Sequence, residues 1–238
     1  MNSVEYQIFS GEAFRNLRSS SLLQGKKLLG SGSFSLVFEG SEADTVFHLS
    51  IDNAGHDFSV KAKQHSVDGV ARIHRDFGAV ALYQDDAFYP DYLWLAELEL
   101  LHPLSSSPAA FREVQDLLRI LTGVTEGVIY STFSEKCKLL ARLNHVPIYP
   151  RTMRCTQALR KLLFKYVTTT SCDIDIRISN FMIRPYTGEV VLNGPVNWLC
   201  DISPERQARL AHSEIILDGT LAPQESAQIL PFQRVGQA

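Results

Sequence analysis

Apolar and polar residues alternate with a period of two through residues 27–63, as strands with one buried face do. "KKLLG" leads into a glycine-serine turn, and "SLVFEG", "TVFHLSI" and "FSVKAK" follow as strands. The last two flank "DNAGHD", whose Asn and Gly accept positive φ and so read as a hairpin turn. The rhythm changes over 68–84, "DGVARIHRDFGAVALYQ". There Val70, Ile73, Phe77 and Ala81 recur at three- and four-residue steps, which predicts an amphipathic helix with Asp68 as its N-cap. Residues 91–101, "DYLWLAELELL", are strand-like in their first half, and Pro103 ends them.

Beyond that point helices dominate. "LSSSP" at 104–108 is a polar break and a candidate hinge. One helix is predicted over 108–122, where Phe111, Val114, Leu117, Leu118 and Leu121 form a stripe, and others over 134–144 and 153–167. A polar loop follows, "DIDIRISN" from Asp173 to Asn180. "NFMIRP" and "EVVLNG" around "YTG" then read as a hairpin. "SPERQARLAHSEIIL" reads as one more short helix, and the last ~20 residues as poorly ordered. The expected fold class is α+β with two lobes. A leader and β-rich lobe occupy 1–103, a mainly helical lobe 104–202, and a C-terminal extension 203–238. A cleft at the lobe junction is the favoured place for a small-molecule site.

Composition adds mostly exclusions. The chain has 238 residues, 45% of them hydrophobic, enough for a substantial core. A net charge of −3 makes no general electrostatic case for nucleic acid or an anionic membrane. No apolar run approaches the ~18 residues that span a bilayer, and the start has no stretch of signal-peptide length. A soluble intracellular protein is expected. Cys137, Cys155, Cys172 and Cys200 form no CxxC pair and no zinc spacing, so reduced thiols are expected.

Three stretches carry candidate chemistry. In "LGSGSFSLVF", Gly30, Ser31, Gly32, Ser33 and Phe34 sit between two strand-like runs. Glycines there let backbone N–H groups approach phosphate oxygens, and the same residues also suit a plain hairpin turn. Ser35 stands where the third glycine of GxGxxG would be, and the strand that follows excludes a Rossmann fingerprint. Lys61 lies in the apolar run "FSVKAK" and could meet an anion or simply face water, with Lys63 and His48 as competitors. In the polar loop, Asp175 could accept a proton from an attacking hydroxyl, and Asn180 five residues later could hold a magnesium ion. Arg177 could meet the charge of a transferring phosphate, whereas Asp173 reads as a structural acid.

In this order, "LGSGSFS", "VKAKQHSVDGVARIHRDF", "FREVQDLLRIL" and "DIRISNFMI…GEVVLNGPV" resemble a protein kinase. More narrowly, they resemble the early, host-takeover Ser/Thr protein kinases of short-tailed lytic phages, from Leu29 to Val196. The resemblance implies a protein-kinase-like fold, ATP and Mg²⁺ as cofactors, and host proteins as substrates or targets in the host cytoplasm. It implies a nucleotide-binding role for the β-rich lobe and a catalytic one for the helical lobe. Gly30, Ser31, Gly32, Ser33 and Phe34 would cover the phosphates, Lys61 would anchor them, Asp175 would be the base, and Asn180 a metal ligand. The family's second metal-binding aspartate falls at Asn193 by spacing, or at Gly194 by the Pro-Val that follows. No glutamate in 68–84 pairs with Lys61. Three expectations stand in order: an ATP-dependent Ser/Thr kinase first, a pseudokinase that binds a host protein second, and a small-molecule phosphotransferase of kinase-like fold last. "HRDFG" at 74–78 overlaps two kinase strings on one aspartate and reads as coincidence, because those motifs occupy separate loops.

Overall fold

The computed structural model describes residues 12–197, apart from 33, 85–90 and 170–171. Ser33, Cys200, the short helix expected from 203 and the whole C-terminal extension lie outside the described residues. The first lobe comprises α1 (Glu12–Ser19), β1 (Leu28–Ser31), β2 (Ser35–Glu39), β3 (Thr45–Ser50), α2 (Asn53–Gln64), β4 (Ile73–Gln84) and β5 (Asp91–Glu99). Its strands form one antiparallel sheet in the order β1-β2-β3-β5-β4. The second lobe follows with β6 (His102–Pro103), a 3-10 turn (Leu104–Ser106), α3 (Pro108–Thr122), β7 (Gly127–Tyr130), α4 (Phe133–Leu143) and α5 (Met153–Thr169). It continues through β8 (Asp173–Arg177), a second 3-10 turn (Ile178–Asn180), β9 (Phe181–Ile183), β10 (Val190–Leu192) and β11 (Val196–Asn197). Two three-stranded sheets, β10-β9-β6 and β11-β8-β7, brace it. The fold is therefore α+β, β-rich first and mainly helical second, as expected.

The helices of the second lobe start and stop on local chemistry. Ser107 caps α3 by accepting from the Ala110 N–H, Pro108 occupies the first turn, and Gly123 at φ +90° ends the helix. Thr132 and Glu135 form a reciprocal capping box on α4. Val114, Leu117, Leu118 and Leu121 of α3 are fully buried in the core of this lobe, where α3 packs on α4 and β7. The predicted stripe thus faces the core.

The first lobe corrects two expectations. Residues 53–64, read as a hairpin turn and a strand, are the helix α2, and Asp52 is its N-cap. Both long faces of this helix are covered, which blurs its period. Ala54, Phe58 and Ala62 enter the core of the helical lobe, whereas Val60 packs on the sheet with Ile73 and Ala96. The alternation Phe58, Val60, Ala62 therefore mimics a strand. Residues 68–84, read as a helix, hold the strand β4 instead. Its register against β5 shifts four times, at Ile73/Arg75, Asp76/Gly78, Ala79/Ala81 and Leu82/Gln84. Each extra residue breaks the two-residue alternation, and repeated bulges produce three- and four-residue spacing without a helix. Asp68 caps nothing and is ion-paired to Arg72 and Arg154.

The lobes are held together by a buried ionic knot. Arg184, 5% exposed, binds both carboxylate oxygens of Glu99 at the end of β5 and donates to the Val70 carbonyl. Glu189 accepts from both Arg184 and Arg154. Among the described residues, no helix is long and apolar enough to cross a membrane.

Candidate functional site

A cavity of about 330 Å³ opens between the lobes. Its roof is the turn between β1 and β2, its back wall is β3 with the start of α2, and its floor is the segment from β8 to β11. The turn is tight: the Gly32 N–H donates to the Ser35 carbonyl at 2.8 Å, and a Cβ on Gly32 would lie 3.2 Å from Ser35 Oγ. Gly32, Phe34 and Ser35 border the cavity, whereas Gly30 and Ser31 lie in β1 away from its lining. Gly30 pairs with Val37 just beyond a register shift.

His48 occupies the central strand of the back wall, between Val37 on β2 and Ala96 on β5. It is half-buried, borders the cavity, and its ring makes no hydrogen bond to any described residue. Burial, and secondarily the neighbouring His56, push its pKa down to about 4, so the imidazole is neutral at physiological pH. His56, on α2, bonds Asp76 at 2.9 Å and packs on the Trp94 ring at 5.1 Å. Asp52 accepts from the Ala54 N–H at 3.0 Å. Burial raises its pKa to about 6, opposed by the Gly55 and Ala54 N–H groups and by His56, and reinforced by the Asp175 charge.

The floor centres on Asp175, which sits mid-strand in β8 rather than in the loop expected from the sequence. Its side chain is 3% exposed. Arg177 grips it in a fork, with Nε to Oδ1 at 2.7 Å and a terminal nitrogen to Oδ2 at 2.6 Å. Asn197 Nδ2 adds a third donor at 3.1 Å. The same contact raises the Arg177 pKa above its ordinary value. Asn180 Nδ2 donates to the Asp175 carbonyl at 2.9 Å, and the Asn193 N–H donates to the Asn180 carbonyl at 2.8 Å. The structure therefore brings Asp175, Arg177, Asn180 and Asn193 together in the cavity lining, beneath Gly32 and Phe34.

Lys61 is not with them. It lies on α2, outside the cavity lining, with Nζ 2.7 Å from Asp57 and 5.0 Å from the centre of the Tyr166 ring. Tyr166 Oη also donates to Asp57. Lys63 points elsewhere and donates to the His74 carbonyl. The strand facing the cleft is "TVFHLS", so the wall position expected to hold a lysine carries His48. The reading of "FSVKAK" as a strand is what misplaced the lysine. Asp52, His56 and Asn197 were not singled out from the sequence, and Asp76 was met only as the aspartate of "HRDFG", read as coincidence. The one available signal was the Asp-Asn-Ala start of "DNAGHD", which also suits a helix N-terminus.

Gly194 has a structural role. It has φ +75°, and a Cβ on Gly55 would lie 3.5 Å from the Gly194 Cα. The first turn of α2 and the turn between β10 and β11 thus meet backbone to backbone. No carboxylate stands at Asn193 or Gly194, and a side chain at 194 would also require a disfavoured backbone conformation.

The residues present do not fit Mg²⁺-ATP. Arg177 is the one lysine or arginine among the described cavity-lining residues, and Asp175 occupies its fork. A triphosphate would face neutral His48 and the carboxylates of Asp52 and Asp175 without an unengaged cation. Among the described residues, no three His, Cys, Asp or Glu side chains cluster as a metal site. Asp175 already accepts three hydrogen bonds, whereas Asn180 spends its amide nitrogen on the Asp175 carbonyl and keeps its oxygen as an acceptor.

No protein-family model matches the chain, and no curated protein matches it. Among solved structures, an aminoglycoside phosphotransferase from Streptomyces rimosus is similar over 76% of this chain and 75% of its own, at 14% identity and a TM-score of 0.32. At that distance neither residue roles nor a substrate pass from it to this chain.

Proposed function

We propose that the chain is a pseudokinase-like binding protein: a two-lobed protein whose cleft binds a ligand or partner without transferring phosphate. The observation that carries this reading is the absence of an unengaged cation among the described cleft residues. Phosphoryl transfer depends on positioning and on neutralising charge at the phosphates. Here His48 stands at the wall, Lys61 is held by Asp57 and Tyr166 outside the cavity, and Arg177 is consumed by Asp175. The sequence resemblance supports a host protein as the partner and the host cytoplasm as the setting. The test is incubation of purified protein with labelled ATP, Mg²⁺ and a host lysate. No labelling above that of an Asp175→Ala control is expected, and Asp175-dependent labelling overturns the reading.

A second reading, an ATP-dependent Ser/Thr kinase, draws on one observation. Asp175 and Asn180 are joined by a direct hydrogen bond on the cavity floor, beneath the glycine turn. In that reading Asp175 accepts the hydroxyl proton of the substrate, and Asn180 with Asn193 holds Mg²⁺. It requires Arg177 to release Asp175, so removing Arg177 would raise turnover.

A further inference from the structure

We propose that the polar end of the cleft is a binding site for a small organic ammonium ion, with Asp52 as its charge partner and His48 as its hydrogen-bond acceptor. The inference rests on the non-transferring reading of the same cleft. Three observations carry it. First, the charges in the lining do not balance. Asp175 and Arg177 neutralise each other, His56 is bonded to Asp76, and Asp52 has no lysine or arginine partner among the described residues. Second, His48 is a neutral, half-buried imidazole that borders the cavity and has no hydrogen-bond partner among the described residues. A neutral imidazole has one nitrogen lone pair to offer, which suits an N–H donor. Third, Asn180 and Asn193 line the same space, and Asn180 spends its amide nitrogen on the Asp175 carbonyl, leaving its oxygen as an acceptor. The lining thus presents acceptors and one carboxylate that is held by the N–H groups at the start of α2 and has no cationic side chain beside it among the described residues. An anion would find no free lysine or arginine among the described lining residues.

The volume of about 330 Å³ is at the small end of ligand pockets, and Ile73, Ala96 and Leu98 add apolar surface to its lining, Ala96 directly across from His48. An ammonium on a short alkyl chain matches such a mixed lining. The same chemistry is available from a free amine or from a lysine side chain of a partner protein.

Proton linkage supplies a specific signature. Asp52 feels His56 on α2 and Asp175 on β8, Asp76 on β4 reaches it through His56, and His48 and Arg177 border the same cavity. Burial holds part of the Asp52 population protonated near pH 6. A bound cation would ionise it and expel the proton.

The experiment is calorimetric titration of the full chain with putrescine, with a Gly-Gly-Lys-Gly-Gly peptide, and with 1,4-butanediol as the uncharged isostere. Saturable one-site binding of putrescine or the peptide is expected, at least tenfold tighter than the diol. Preference between the two distinguishes free amine from protein side chain. At pH 6, buffers of different ionisation enthalpy should report about half a proton released per ligand. Asp52→Asn, which keeps a capping side chain, should weaken binding at least tenfold and abolish the release, and His48→Leu should weaken it several-fold. Equal binding of the diol, unchanged binding by Asp52→Asn, a response to Mg²⁺ alone, or no binding overturns the proposal. ATP turnover is measured separately, so loss of amine binding without turnover sinks only this inference.

Discussion

Replacing Arg177 with Met should leave one of the most buried charges in the protein without its cation. The Asp175 side chain is 3% exposed, and two of its three hydrogen bonds come from the Arg177 guanidinium. Removing one member of a fully buried ion pair costs about 3–5 kcal/mol. Arg177 is itself 47% exposed at its side chain, so water can enter where the guanidinium was, and Asn197 remains as a donor. These two features reduce the expected loss to about 2–3 kcal/mol at pH 7. For a chain of this size that is a fall in Tm of roughly 5–10 °C. The assay is urea denaturation of wild type, Arg177→Met and Arg177→Lys at pH 7. Arg177→Lys should lie between the other two, because an ammonium restores charge but not the fork. A deficit below about 0.5 kcal/mol at pH 7 would refute the claim that Asp175 is consumed by this pair.

The other predictions concern the same cleft and its supports. Asp52 and His48 should give opposing pH slopes. A carboxyl raised from 3.8 to about 6 makes the fold lose stability as pH rises through that window, and a His lowered from 6.5 to about 4 makes it lose stability as pH falls through its own. Each is worth at most roughly 3 kcal/mol, so wild type should be nearly flat between pH 4 and 6.5. Denaturation of Asp52→Asn should expose the His slope, and His48→Leu the Asp slope. Gly194→Ala should cost about 1–2 kcal/mol through its positive φ, whereas Asn193→Asp should fold normally and still transfer no phosphate. Lys61→Met, which breaks an ion pair outside the cavity, should cost under about 1 kcal/mol and leave cleft binding unchanged, as titration would show. Arg184→Met should cost about 3–5 kcal/mol in denaturation, because Glu99 would be left without its guanidinium.

Legibility from sequence followed local chemistry. The helical lobe could be read closely because α3 and α4 carry ordinary caps and one-sided apolar stripes. The predicted 108–122 coincides with α3 for that reason. The first lobe was misread where tertiary packing alters the period. α2 is buried on two faces, and β4 is bulged four times. These two inversions moved the candidate lysine into the cleft and left His48 as a mere competitor. The floor fared better. Asp175, Arg177, Asn180 and Asn193 do converge, since they lie within one short strand-turn-hairpin segment whose geometry is local. Asp52, His56 and Asp76 could not be found from spacing, because their meeting depends on how α2 lies against the sheet. The charge state of the site was equally hidden, as burial and not residue type sets the protonation of His48 and Asp52.

The measurement that bears most directly on the central claim is titration of the wild-type chain with ATP, with and without Mg²⁺, alongside a labelled-phosphate transfer assay on wild type and Asp175→Ala. The account predicts no saturable Mg²⁺-dependent ATP binding and equal, background labelling by both proteins. Mg²⁺-dependent binding accompanied by transfer that disappears in Asp175→Ala would contradict it.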